Sequence, residues 1–193
     1  MPKKVDHEQR RREITDAVWR IAAADGLEAV SLGQVAAAAG VSKGLVQHYF
    51  GSREQMLACA TRRLRERVEA RVAAQAAPGT PRAALRALLL GLLPADDASR
   101  TDELVAQAFF LRALKDPAIA ERFQAGHALI ADAIADRLRA LPGDLDVPTE
   151  ARILLALSTG LATALLLGQL TPAEAEAAVD RQLDRLGPRI SGA

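Results

Sequence analysis

Residues 31–50 read SLGQVAAAAGVSKGLVQHYF, and this stretch decides the fold. Its pattern predicts two short helices, the second over residues 43–50, joined by a tight turn at Gly40 and Val41. Two helices joined by a short turn that contains glycine form a helix-turn-helix, whose second helix can lie in the major groove of DNA. The stretch therefore predicts a DNA-binding unit near the N-terminus.

The residues at the predicted helix ends agree with this interpretation. Ser31 and Gln34 have the S-x-x-Q spacing of a capping box, in which the serine satisfies a free N–H group at a helix start. Gly40 is the residue type that most readily takes the left-handed conformation that ends many helices. Ser42 can then cap the next helix through its hydroxyl. The four alanines 36–39 are small enough to let the two helices cross closely.

The second helix of the motif carries side chains suited to DNA. Lys43 supplies a positive charge for a phosphate, and Gln47 can pair with adenine in the major groove. His48 and Tyr49 can donate hydrogen bonds to phosphate oxygens. Gly44 lowers helix propensity by roughly 1 kcal/mol relative to alanine, so its presence suggests that the backbone must approach a phosphate or a base closely.

Each of these residues also has an ordinary structural interpretation. Tyr49 could be a half-buried core residue, His48 a solvated surface histidine, and Lys43 and Arg53 plain solvated charges. A helical hairpin with a glycine turn is by itself a weak signal of DNA binding. The DNA-binding interpretation depends on the conjunction of these features in one window, behind a basic helix.

A longer set of residues resembles the TetR family of bacterial regulators. The match covers about residues 8–58, through Gly26-Leu27, Ser31 to Ala39, Gly40-Val41-Ser42-Lys43-Gly44, His48-Tyr49-Phe50 and Ser52-Arg53-Glu54-Gln55-Met56-Leu57. The resemblance implies DNA contacts from Ser31, Ser42, Lys43, Gly44, Gln47, His48 and Tyr49. It also implies that Arg53, at the start of the fourth helix, reaches a phosphate. The order Gln47-His48-Tyr49 departs from the family's commoner aromatic-aromatic-His order, so no base preference can be borrowed.

The composition predicts an all-α protein of about nine helices. The 193 residues are 50% hydrophobic but only 3% aromatic, and alanine and leucine, both good helix formers, abound. The single cysteine, Cys59, fits a reducing cytoplasm, and the polar start MPKKVDHEQRRRE predicts no signal peptide. The sequence shows no catalytic motif and no metal-ligand spacing. We therefore expect no enzyme activity, no metal and no cofactor.

The charge is unevenly placed along the chain. Residues 1–75 carry 13 Lys and Arg and 9 Asp and Glu, whereas residues 76–193 carry 12 and 15. The basic part is the part with the motif, which favours phosphate binding there. Lys3, Lys4 and the run Arg10 to Arg12 are predicted to form a basic arm, although a solvated start to the first helix explains Arg11 and Arg12 equally well.

Helix start and stop signals divide the chain into two domains. A DNA-binding domain is predicted over 1–52, with the start of a linking helix over 53–75, and an effector-binding and dimerisation domain over 76–193. The remaining helices are predicted at about 7–24, 52–74, 81–93, 101–115 with Thr101 as its cap, 117–141, 149–169 and 172–186.

An uncharged run of 21 residues, Ile153 to Ala173, is long enough to span a membrane. Polar residues fall inside it and a new helix begins at Thr171, so we interpret it as a buried helix of a protein without membrane contact. The resemblance implies a homodimer formed by the last two helices, and small or apolar residues there are candidates for the interface: Gly160, Ala164, Gly168, Val179 and Leu183. The alternative is that these helices close the core of a single chain.

An apolar pocket in the middle of the second domain is the predicted effector site. Such pockets combine apolar walls with a few polar groups. The candidates are Gln107, Phe109, Phe110, Arg112, Phe123 and His127. For each aromatic residue, ordinary packing is the alternative. The segment LTPAEAEAAVDRQLDRL also resembles a BetI-type C-terminal domain, a loose match that does not transfer a ligand such as choline.

The expected function is that of a cytoplasmic bacterial DNA-binding transcriptional regulator. Its expected partners are a double-stranded pseudo-palindromic operator, a second copy of the chain and an unidentified small-molecule effector that releases a repressor from DNA. The alternatives are a TetR-like activator and an all-helical adaptor without specific DNA binding. An adaptor would keep its function after Lys43→Ala or Tyr49→Ala, whereas a DNA-binding regulator would not.

Overall fold

The described residues of a computed structural model, 2–75 and 79–186, form nine α-helices, one short 3₁₀-helix and no strand. This confirms the predicted fold class. The 3₁₀-helix is Leu27–Ala29. The α-helices are α1 (Pro2–Asp25), α2 (Leu32–Ala39), α3 (Lys43–Phe50), α4 (Arg53–Gln75), α5 (Pro81–Gly91), α6 (Asp97–Ala113), α7 (Pro117–Arg139), α8 (Val147–Leu166) and α9 (Pro172–Arg185).

The first compact unit comprises the described residues up to Glu66 together with Leu104–Phe123. Its core is made of apolar side chains from α1 to α4, with Ile14, Val46 and Phe50 at most 1% exposed. Val105 and Phe109 of α6 and Ile119 of α7 join the same core. Burial of this apolar surface is the main favourable term in forming the unit.

The second compact unit comprises Arg67–Glu103 and the described residues from Gln124 onward. Leucines of α5, α8 and α9 and the apolar face of α7 form its core, with Leu85, Ile134 and Leu154 fully buried. Gly91 lets α5 approach α4 closely, because a Cβ atom there would lie 2.9 Å from the Cα atom of Val72.

Two arginines of α4 hold a buried carboxylate of α6 within the second unit. Asp102 is 1% exposed, and the Nε atom of Arg67 donates to its Oδ1 atom at 2.5 Å. Arg71 donates to the Oδ2 atom of Asp102 and, through Nε, to the carbonyl oxygen of Gly91 at 3.1 Å. Both carboxylate oxygens of Asp102 are thus satisfied, as a buried charge requires.

The helix boundaries differ from the prediction at three places. α1 begins at Pro2, not near residue 7, and α8 begins at Val147 because Asp146 caps it, accepting from the backbone N–H of Thr149. α6 begins at Asp97, where Asp96 accepts from the N–H of Ser99 at 2.7 Å. Thr101 is therefore not a cap.

The two compact units do not follow a single cut along the chain, because residues 104–123 pack with the first unit. The predicted domains, 1–52 with the start of a linking helix over 53–75, and 76–193, stay a prediction. α4, α6 and α7 each contribute residues to both units. The predicted breaks at 76–78 and at Gly187 and Pro188 lie outside the described residues, as do the side chains of Lys3 and Lys4.

Candidate nucleic-acid interface

The turn between α2 and α3 is built by the residues that the sequence singles out. Ser31 accepts a hydrogen bond from the N–H of Gln34 at 3.2 Å, which begins α2. Gly40 takes the left-handed conformation with φ 65°, and the N–H of Val41 donates back to the carbonyl oxygen of Ala36 at 3.0 Å. This pattern closes the C-terminal end of α2 and sets the direction of the turn.

Helix α3 has one face inside the first unit and one face in solvent. Ser42 begins it by accepting from the N–H of Leu45 at 3.2 Å. Val46 and Phe50 are 0% and 1% exposed. The exposed face comprises Ser42, Lys43, Gly44, Gln47 and His48. The sequence pattern predicts that Leu45, Val46 and Phe50 face inward; this is confirmed for Val46 and Phe50, and Leu45 is half-buried.

Gly44 lies in open space. A Cβ atom built there would meet no other heavy atom within 4 Å, so the fold itself does not require glycine at this position. A glycine in the first turn of an exposed helix leaves the backbone accessible to a large partner.

Three aromatic rings connect α1 with the C-terminal end of α3. The ring centroids of His7 and Tyr49 are 5.1 Å apart, and those of His48 and Tyr49 are 5.7 Å apart in an edge-to-face arrangement. Tyr49 is half-buried and packs against the first core, while His48 stays exposed. Tyr49 therefore has a structural role beside any contact with DNA, and His7 is a neighbour that the sequence did not reveal.

Arg53 is held inside the first unit. Its Nε atom donates to the carbonyl oxygen of Val30 at 2.7 Å, and its Nη2 atom donates to that of Leu27 at 2.6 Å. A carboxylate oxygen of Glu28 lies 3.7 Å from the same Nη2 atom. These bonds attach the start of α4 to the segment after α1. The phosphate contact of Arg53 stays a prediction.

The six predicted pocket residues are divided between the two units. Gln107, Phe109, Phe110, Arg112 and Phe123 belong to the first unit and His127 to the second. Burial lowers the pKa of the half-buried His127 below its ordinary value.

Two of the five residues in the first unit are committed to contacts within it. Phe109 is 2% exposed in the first core, so its ring has no surface left for a ligand, and this part of the prediction is wrong. Arg112 donates to Glu28 at 2.9 Å and to Asp116 at 3.1 Å, and both carboxylates keep the pKa of Arg112 above its usual value. Phe110 is 41% exposed, with its ring centroid 5.9 Å from that of Phe123.

The predicted interface residues divide between surface and core. Val179 and Leu183 are 0% and 1% exposed within the second unit, so their side chains cannot face a partner, and the prediction is wrong for them. Gly168 lies beyond the end of α8, in a turn with φ 68°. Gly160 is exposed and Ala164 half-buried on α8.

Ser158 is a polar group that the sequence analysis missed. It is 3% exposed on α8, and its hydroxyl has no hydrogen-bond partner among the described residues. A serine in an apolar helix gives no sequence signal that separates a buried hydroxyl from an exposed one. Among the same residues, no group of three or more His, Cys, Asp and Glu side chains is placed to hold a metal ion.

Two family models match the chain. Residues 14–59 match the bacterial regulatory proteins of the tetR family, and residues 81–188 match the C-terminal domain of BetI-type transcriptional repressors. The HTH-type transcriptional regulator PksA of Bacillus subtilis is 32% identical over 176 residues, which cover 86% of this chain and 83% of PksA.

Solved structures give the same assignment. A transcriptional regulator from Rhodococcus sp. Rha1 has a TM-score of 0.82 and 33% identity, over 91% of this chain and 95% of that one. A regulator from Saccharomonospora viridis in complex with choline has a TM-score of 0.82 at 22% identity, over 92% and 96%, a likeness of fold alone. The chain belongs to the TetR family of bacterial transcriptional regulators, and its C-terminal domain is of the BetI type.

Proposed function

We propose that this regulator is a cytoplasmic, homodimeric repressor that a small-molecule effector releases from a pseudo-palindromic operator. The main support is the exposed face of α3. Lys43, Gly44, Gln47 and His48 face solvent there, while Val46 and Phe50 of the same helix are buried in the first core. Phosphate contacts from Ser31, Ser42 and Lys43 position the helix, and Gln47 reads a base.

An exposed seam on α8 supports the homodimer. Ile153, Ala156, Gly160, Thr163 and Leu167 are all exposed and follow one another at spacings of 3, 4, 3 and 4 residues. That spacing places apolar and small residues along one line, as in paired helices. Ile153 is 44% and Leu167 67% exposed, an unusual amount of apolar surface for a lone subunit. A two-fold dimer presents two copies of α3 to two half-sites.

The same helix is long and apolar enough to cross a membrane. Only 33% of its apolar stretch is buried within the chain. A second copy of α8 covers this surface without a membrane, and its small residues Gly160 and Thr163 suit close helix packing. We therefore assign the apolar seam to the subunit interface.

The effector is proposed to bind in the second unit. The hydroxyl of Ser158 is buried without a partner in the described part of the chain, which costs about 1–3 kcal/mol, and a ligand acceptor placed there would offset this cost. Half-buried His127 is the other polar candidate in that unit, and Gln107, Phe110 and Phe123 remain predictions. The choline complex of the Saccharomonospora viridis regulator makes choline the first effector to test.

Release from DNA follows a shift between two conformations. A ligand shifts such an equilibrium only by binding one state more tightly than the other. α4, α6 and α7 each contribute to both units, so a change in the second unit can alter the spacing of the two α3 helices. At the altered spacing, the two α3 helices no longer fit two successive major grooves.

DNA binding is tested by fluorescence anisotropy with duplexes selected from random DNA and from the region upstream of the gene. Gln47→Ala should weaken binding to the selected site about tenfold to a hundredfold, since a good bidentate base contact contributes about 1–3 kcal/mol. Gln124→Ala, an equally exposed glutamine on α7, should bind as the wild type does. Equal affinity of wild type and Gln47→Ala for every duplex would refute sequence-specific binding through α3.

The interface is tested by light scattering. Gly160→Glu places a charge in the exposed seam and should yield monomers. Ala140→Glu, at an exposed position after α7, should leave the dimer intact. A Gly160→Glu protein that remains a dimer would show that the subunits pair elsewhere.

A further inference from the structure

A basic cleft lies between the N-terminal half of α1 and the middle of α4. Its volume is about 520 Å³, and it lies entirely within the first unit. Four arginines and two glutamates line it: Arg11, Arg12, Arg62, Arg63, Glu8 and Glu66. The excess of two positive charges in one small cleft favours an anionic partner.

The positive charge of this basic cleft is only partly neutralised by the protein. Arg63 has a carboxylate oxygen of Glu66 at 3.7 Å, the long end of the range for an ion pair. Arg12 and Arg62 are exposed, and neither has a carboxylate partner among the residues that the structure describes. Elsewhere in the chain, Arg86 is held by both Asp180 and Glu176, which keep the pKa of Arg86 above its ordinary value.

Neighbouring groups fix the direction of two of these arginines. The guanidinium carbon of Arg11 lies 5.3 Å from the ring centroid of Phe50, a cation–π distance. The Nη2 atom of Arg62 lies 3.5 Å from the Sγ atom of Cys59, which is itself 3.5 Å from the hydroxyl of Thr15. The guanidinium groups thus lose less conformational freedom when an anion binds.

The basic cleft begins one helical turn from the aromatic rings at the end of α3. His7 contacts Tyr49, with centroids 5.1 Å apart, and lies 6.3 Å from His48. Arg11 follows His7 by four residues on α1, a rise of about 6 Å. One DNA strand advances about 3.4 Å per nucleotide along the duplex axis, so roughly two nucleotides span that distance.

We propose that this basic cleft binds phosphates of the DNA backbone and extends the footprint of the protein beyond α3. The inference rests on the proposed function, because it takes DNA as the ligand of the first unit. Arg62 and Arg63 lie ten or so residues beyond the start of α4, outside the motif that the sequence analysis assigned to DNA. The phosphates are bound without regard to base sequence, whereas Gln47 reads the bases.

The test is the salt dependence of DNA affinity for the double variant Arg62→Gln/Arg63→Gln. Each phosphate contact contributes about 0.9 to the slope of log K against log salt concentration. We expect the slope of the variant to be smaller by about 1–2 than that of the wild type. The loss of affinity should be equal on the selected operator and on an unrelated duplex, since the loss of backbone contacts weakens binding to all sequences alike.

A matched control removes the same charge elsewhere. Arg122→Gln/Arg139→Gln changes two exposed arginines of α7 and should keep the wild-type slope. Thermal unfolding verifies that both variants fold. A slope for Arg62→Gln/Arg63→Gln equal to that of the wild type would overturn the proposal. So would an arginine-dependent stabilisation by inorganic phosphate with no change in that slope, which would identify a site for free anions.

The two proposals fail in different ways. If the wild type shows no preference between the operator and the unrelated duplex, sequence-specific regulation is refuted. The slope of the double variant on the unrelated duplex still decides whether the basic cleft binds phosphates.

Discussion

Several arginines of the second unit have carboxylate partners, whereas two arginines of the basic cleft have none among the described residues. In the second unit, Arg67 and Arg71 hold Asp102, and Arg82 pairs with Asp184 at 2.6 Å. In the basic cleft, Arg12 and Arg62 face solvent without such partners among the described residues. The paired arginines attach one helix to another, and the unpaired ones remain available to an external anion.

This difference shows why the number of basic residues alone is a poor guide to a binding surface. Residues 1–75 and 76–193 carry 13 and 12 basic residues, almost the same number. What differs is whether acidic groups lie beside them. Variants of paired and unpaired groups should therefore differ in their effects on stability and on DNA binding.

Asp102→Asn should give the largest loss of stability. The carboxylate is buried and bound to two arginines, so the change removes the negative charge that both guanidinium groups contact. Removing one partner of a buried ion pair costs about 3–5 kcal/mol. The measurement is the free energy of unfolding in urea at pH 7.

The control for Asp102 is an exposed ion pair of the same unit. Asp184→Asn removes the partner of Arg82, whose side chain is 42% exposed, and should cost less than about 1 kcal/mol. If both variants lost the same free energy, burial would not explain the role of Asp102.

The sequence predicted the first unit's motif because its signals are local. The cap at Ser42, the left-handed Gly40 and the buried positions Val46 and Phe50 all follow from residues within a few positions of one another. Thr171 and Glu174 also have the spacing of a capping box, a local signal that predicts the start of α9, and the box is complete in the structure.

The tertiary contacts of the apolar side chains could not be predicted from such local signals. Apolar residues at helical spacing can face the core of the same chain or a second copy, and periodicity does not separate the two. Val179 and Leu183 face the core of their own unit, while Ile153 and Leu167 are exposed. Phe109 was likewise assigned to a pocket, but it packs in the core of the first unit.

The start of α6 was ambiguous for a different reason. Asp96 and Thr101 are both residue types that cap helices, and they lie five positions apart. The structure uses Asp96, because Ser99 completes the bonds around its carboxylate and holds the pKa of Asp96 below its usual value. Neighbouring side chains, and not the cap residue alone, decided the helix start.

Gly44→Ala should separate stability from DNA binding. A Cβ atom there meets nothing within 4 Å, and alanine restricts the unfolded chain, so the variant should be more stable by about 0.5–1 kcal/mol. In the proposed complex the backbone at Gly44 approaches a phosphate, and an added methyl group would separate the two, so operator affinity should fall. Unfolding in urea and anisotropy measure the two effects.

The matched control for Gly44 is a helical glycine far from the motif in sequence. Gly126→Ala on α7 also places its Cβ atom in open space, and it should gain stability without losing operator affinity. Unchanged affinity of Gly44→Ala would show that the backbone at Gly44 does not approach DNA.

His127→Gln should produce the smallest effect, a change in the acid sensitivity of the second unit. Burial lowers the pKa of His127 from its ordinary value of 6.5, so the unfolded chain takes up a proton at a higher pH than the native protein does. The stability contributed by neutral His127 is present above pH 6.5 and is lost as the pH falls through the lowered pKa. Glutamine cannot titrate, so the variant should lose less stability between pH 7 and pH 5. Urea unfolding at a series of pH values measures this. If the profile of His127→Gln matched that of the wild type, the burial of His127 would not contribute to the acid sensitivity of the second unit.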